Sequence, residues 1–121
     1  MNKILKKTVL LLLITLIISS TFIVASGNPV LYQHSIVVTG YFGKSSSQST
    51  STLPLGYMAV TTYLYCSGQN VGLNIEQQWG EVVCGWVNSY FSGIGTKWAK
   101  GRHVYADSSY GINYTTWTAA N

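Results

Sequence analysis

The chain has 121 residues, only 8% of them charged, and a formal net charge of +4, which bounds it to a single domain. Three of its seven cations, Lys3, Lys6 and Lys7, sit at the extreme start. Beyond residue 27, Lys44, Lys97, Lys100 and Arg102 face Glu76, Glu81 and Asp107, a net charge of +1, so the dense cationic footprint of a nucleic-acid partner is excluded.

Those three lysines precede an apolar run from Val9 to Ile18, followed by Ser19, Ser20 and Thr21 and by the small residues Ala25, Ser26 and Gly27. A positive start, an apolar middle and a small-residue exit read as a secretory signal peptide over 1–27. Retained, the run would be an anchor near the lower limit of a membrane span. Cleaved, it leaves a secreted domain over 28–121 with no stable membrane span. Outside the cytoplasm Cys66 and Cys84, the two cysteines of the chain, are expected as a disulfide. That bridge would close a loop of roughly 19 residues, worth about 3 kcal/mol in a chain-entropy treatment.

The remaining chain is rich in Tyr, Trp, Val and Thr, residues suited to pleated surfaces, and no segment carries a helical apolar stripe. His34 to Phe42 reads as a first strand with Ile36, Val38 and Phe42 on one face. Residues 43–53, almost all Ser, Thr and Gln, read as a flexible loop, because such a tract has little apolar area to bury. Tyr57 to Cys66 is a strand with Met58, Val60, Thr62, Leu64 and Cys66 on one side and Tyr57, Ala59, Thr61, Tyr63 and Tyr65 on the other.

Val71 to Trp79 alternates Val71, Leu73, Ile75, Gln77 and Trp79 against Gly72, Asn74, Glu76 and Gln78, and Gly80 turns the chain. Glu81 to Phe91 follows, with Val82, Cys84, Trp86 and Tyr90 on one side. Thr96 to Ala106 carries the basic cluster Lys97, Lys100, Arg102 and His103, and Tyr110 to Thr118 closes the chain. The expectation is an all-β fold, a small antiparallel sandwich or barrel of about six strands with one disulfide.

Reactive groups are few. His103 and Asp107, four apart on a strand, stand about 13 Å from one another, too far for a Ser–His–acid relay, and no nucleophile-elbow pattern marks a serine. Glu76 and Glu81 flank the turn at Gly80 and form the one pair compatible with glycoside hydrolysis across a hairpin. The spacing of His34, His103 and the acids matches no zinc pattern. No phosphate-cradling glycine motif is present. No catalytic residue, metal ligand or cofactor is therefore assigned, and the chain is read as a non-enzyme.

The remaining signal is aromatic. Tyr57, Tyr63, Tyr65, Trp98, Tyr105, Tyr114 and Trp117 offer more rings than a small core requires, and such rings combine wide contact area with a polar handle. Cross-strand pairing that holds a sheet together accounts for part of them. The leader, the serine tract and the aromatic end around Trp98-Ala99-Lys100 and Tyr114-Thr115-Thr116-Trp117 make the layout similar to small secreted bacteriocins of the lactococcin-like β-sandwich type. The cysteine pair and the greater length depart from that pattern, and no functional residue carries over from it.

The reading is thus a small secreted protein that recognises a glycan, a wall polymer or an extracellular protein at the cell envelope through a Tyr/Trp-bearing sheet face. The alternatives are a bacteriocin-like antimicrobial or toxin acting on competing cells, which the resemblance implies, and a protease inhibitor presenting a rigid loop beside the disulfide.

Overall fold

The computed structural model describes residues 27–121; the expected leader, up to residue 26, lies outside the described residues. Seven strands follow in order: β1 (Leu31–Val38), β2 (Phe42–Leu55), β3 (Tyr57–Cys66), β4 (Gln69–Gln78), β5 (Glu81–Ser92), β6 (Lys97–Asp107) and β7 (Ile112–Ala120). A single 3-10 turn, Ser108–Tyr110, joins the last two. Strands β1-β2-β5 form one antiparallel sheet and β4-β3-β6-β7 another. This all-β, two-sheet architecture is the one the alternation predicts, with seven strands rather than about six. Among the described residues, no helix is long and apolar enough to cross a membrane.

The serine tract is the main departure. Residues 43–53, expected as a flexible loop, lie inside β2, which is the central strand of its sheet and pairs with both β1 and β5. Its serines alternate as a hydrophobic strand would: Ser45, Ser47 and Ser49 are fully buried. They survive burial because each hydroxyl has a partner. Ser45 accepts from Thr62 at 3.0 Å, Ser47 donates to Thr62 at 3.1 Å and meets Ser35 at 2.8 Å, and Ser35 meets Thr118 at 2.5 Å. His103 completes the chain, with Nδ1 2.8 Å from Ser49 and Nε2 2.7 Å from Thr118. Seven side chains from five strands thus form one continuous polar core.

The apolar core occupies the neighbouring stretch of the interior. Leu55, Met58, Val60, Cys84, Val87 and Tyr105 cluster there, with Leu31, Tyr110 and Ile112 against them. Each of the larger members contributes about 1.5–3 kcal/mol by leaving water. The Tyr105 hydroxyl donates to the Tyr32 carbonyl at 2.9 Å, which ties the two sheets together.

The expected disulfide is absent: both cysteines are free and buried. Cys84 lies at the Met58 end of β3, its sulfur 3.9 Å from the Met58 carbonyl. Cys66 ends the same strand eight residues on, about 27 Å away, whereas a disulfide needs α-carbons within about 7 Å. The expected facing of β5 is also corrected. Between Cys84 and Val87 the strand has one residue more than its partner stretch Ser47–Ser49, a bulge at Gly85, which has φ +99°. Parity flips there, so Cys84 and Val87 both point inward while Trp86 and Tyr90, beyond the bulge, are exposed; Val82, at the start of the strand, is exposed as well.

Candidate functional site

The outer face of the four-stranded sheet gathers five of the seven aromatic residues singled out in the sequence. Odd-numbered residues of β3 point outward, and strand register sets them beside even-numbered residues of β6. Tyr65 therefore lies against Trp98, stacked at 4.1 Å and 9° between planes. Tyr63 lies beside Lys100 and reaches Trp117 of β7, with ring centroids 6.0 Å apart. The Lys100 ammonium sits 4.2 Å above the Trp117 ring, a cation–π contact. Arg102 is opposite Trp117 in the register of β6 and β7. Tyr57 tilts against Trp79 at 5.5 Å, which adds a ring the sequence reading left off its site.

Strand β4 extends this face with aliphatic groups. Its apolar side, Leu73 and Ile75, is turned to solvent at 57% and 51% exposure, and its polar side is turned inward. The inversion has a local cause. β5, at the edge of the opposite sheet, presents backbone groups that need partners, and β4 supplies them from its polar side. Asn74 donates to the Asn88 carbonyl at 2.9 Å, and the Glu76 carboxylate accepts from the Gly85 N–H. Gly72 leaves room for Ser89. The face spans four strands, about 14 Å, by about 27 Å along β3 between Tyr57 and Tyr65.

Its electrostatics are one-sided. Lys100 and Arg102 rise from it, and no carboxylate among the described residues does. Glu76 is held by Gly85, and Glu81 begins β5 in the other sheet. Asp107 accepts from Gly56 N–H and Ser109 N–H, both at 2.8 Å. The surface is therefore a flat array of rings and aliphatic groups with two cations, suited to stacking on an extended ligand and pairing with its negative groups.

Two of the expected binding residues lie elsewhere. Tyr105 is fully buried in the core, because odd positions of β6 point between the sheets. Tyr114 stacks on it at 6.2 Å from the same, inner side of the sheet. Burial pushes the Tyr105 phenol above its ordinary pKa. Neither belongs to the outer array.

The residues weighed for catalysis are also separated. Glu76 and Glu81 do not face each other across a hairpin, since Gly80 carries the chain from one sheet to the other. His103 is fully buried between Ser49 and Thr118, and burial together with the charge of His34 lowers its pKa to about 4. The Cys84 thiol is pushed up to about 12 by burial and by the negative charge of Glu76, which leaves it inert as a nucleophile. No group of three or more His, Cys, Asp or Glu among the described residues could hold a metal ion. An open depression lined by Gly56, Asp107, Ser109 and Ile112 offers one carboxylate, already engaged by backbone amides. The rigid loop proposed beside a disulfide loses its frame, because that bond is not formed.

Comparison with protein-family models, with curated proteins and with solved structures returned no match. What the fold and this surface define is a class: an antiparallel two-sheet β protein with a polar core and an aromatic, cationic outer face.

Proposed function

We propose that the chain is a small secreted, non-enzymatic recognition protein. It binds an extended glycan or wall polymer at the cell envelope on the outer face of its four-stranded sheet. The observation that carries this reading is the convergence of Tyr57, Tyr63, Tyr65, Trp98 and Trp117 with Lys100 and Arg102 on one acid-free surface. Rings stack on sugar faces with few rotors to freeze, and the two cations select polymers that carry phosphate or carboxylate groups.

Retention on purified wall material tests it. Replacing Tyr63 and Trp117 together by Ala removes a ring pair and the platform under Lys100. At about 1 kcal/mol or more per ring this lowers affinity at least about tenfold. Tyr32→Ala, on the outer face of the other sheet, serves as the control and leaves retention unchanged. Equal retention of all three proteins would show that the face is not the binding surface.

A further inference from the structure

One end of the sandwich presents a second, independent surface. Three connections meet there: residues 39–41 between β1 and β2, Ser67-Gly68 between β3 and β4, and residues 93–96 between β5 and β6. They are fastened to one another. Gly93 N–H donates to the Tyr41 carbonyl and Ser67 N–H to the Thr96 carbonyl, both at 2.9 Å. Lys97, only 3% exposed, sends its ammonium inward to the carbonyls of Gly40 and, at 2.6 Å, Gly93. The Cys66 thiol donates to the Ile94 carbonyl at 3.5 Å.

This fastened end points apolar side chains at water. Ile94 is 92% exposed, Phe42 75% and Tyr90 68%, and Tyr41 and Val38 are each more than half exposed. Tyr41 and Phe42 meet edge to face at 5.0 Å. A flexible loop could turn such groups inward; here the lysine and the carbonyl bonds hold the loops that carry them.

Charge is segregated along the same axis. Lys44 lies over the Tyr90 ring at 5.7 Å beside this end, and Lys97 is at the end itself. The three acids are remote. Asp107 and Glu81 mark the opposite end, beside Gly56 and Leu55, and Glu76 is paired with Val60. Val60 is six residues from Cys66, about 20 Å along the strand. The molecule thus has a cationic, apolar end and an acidic end.

We infer that this end docks on an anionic lipid bilayer, with Phe42 and Ile94 entering the acyl boundary and Tyr41 and Tyr90 at headgroup level. A bilayer suits the surface better than a protein pocket does. The apolar groups come from two separate loops and protrude, so they need a deformable apolar phase rather than a matching cleft. The tyrosines and the flanking Lys44 suit the headgroup layer. This inference does not depend on the ring face.

Two readouts on the full chain test it: co-sedimentation with vesicles of equal parts phosphatidylglycerol and phosphatidylcholine, and hydrogen exchange of the bound protein. Vesicles are expected to slow exchange at residues 39–43 and 93–96 and to leave the outer-face strand β4 unchanged. Phe42→Ser with Ile94→Ser lowers partitioning by roughly a hundredfold and removes that protection. Vesicles of phosphatidylcholine alone bind more weakly, by roughly fivefold for Lys44. Near-UV circular dichroism checks the fold; if the double variant unfolds, Ile94→Asp, at the most exposed position, gives the same loss. The Tyr63→Ala, Trp117→Ala protein keeps its vesicle binding, which separates this surface from the polymer site. Absence of vesicle binding, or binding without protection at residues 39–43 and 93–96, overturns the proposal, as does equal binding by the folded tip variants.

Discussion

Protonation of His103 is the most informative perturbation of the core. In the native state its imidazole takes up a proton at about pH 4, because burial first and the charge of His34 second oppose the cation. In the unfolded chain it does so near the ordinary value of about 6.5. Between these values the unfolded chain holds more protons than the folded one, so stability falls as pH drops through that window and is complete above it. The gap corresponds to a loss on the order of 3 kcal/mol, most of it reached by pH 4. For a domain of this size that is about 10–20 °C in Tm. The physical event is the loss of an acceptor: a doubly protonated ring can only donate, so both Ser49 and Thr118 must accept from it, and Thr118 is already tied to Ser35.

Urea unfolding followed by tryptophan fluorescence at pH 7, 5 and 4 measures this directly. His103→Gln keeps polar contact with its neighbours but does not titrate. It is expected to cost about 1–3 kcal/mol at pH 7, yet to lose about 3 kcal/mol less than the parent on acidification. Carboxylates common to both proteins cancel in the comparison. Parallel stability curves for the two proteins across pH 7 to 4 would refute the reasoning.

Other outcomes follow from the same geometry. Gly101→Ala places a methyl group against Ser35, 2.7 Å from the Ser47 hydroxyl and 2.8 Å from His103 Nε2, and is expected to destabilise the fold by about 1–3 kcal/mol in thermal unfolding. Iodoacetamide at pH 8 is expected to leave Cys84 unmodified in the folded protein, since raising the thiol from 9 to about 12 lowers its thiolate fraction roughly a thousandfold, and to alkylate it after unfolding. Mass spectrometry of the folded protein without reductant is expected to show both thiols free.

Much of the architecture was legible in the sequence because β3 and β4 alternate cleanly. The bounds Tyr57–Cys66 follow from that pattern alone, and the outward set Tyr57, Tyr63 and Tyr65 is its necessary complement. β2 was hidden because its buried positions are serines. A core satisfied by hydroxyl pairs leaves no hydrophobic period to read, and only the partners Thr62, His103, Thr118 and Ser35, scattered over four other strands, reveal it. The facing of β5 was misread because one extra residue at Gly85 inverts parity, which alternation cannot register. The disulfide was inferred from compartment and count; strand register, which places Cys84 near Met58, was the missing constraint. Tyr105 looked like a surface ring because tyrosine composition does not distinguish faces; its odd position on β6 does.

The chain carries its own control for the central claim. Trp79, Trp98 and Trp117 lie on the outer face of the four-stranded sheet, and Trp86 lies on the other sheet beside His34. Oxidative footprinting of the four indoles by mass spectrometry, with and without saturating wall polymer, compares the two faces in one molecule. Protection of the first three with Trp86 unchanged is the predicted result. Protection of Trp86 with the other three unchanged, or no protection at any indole, contradicts the account.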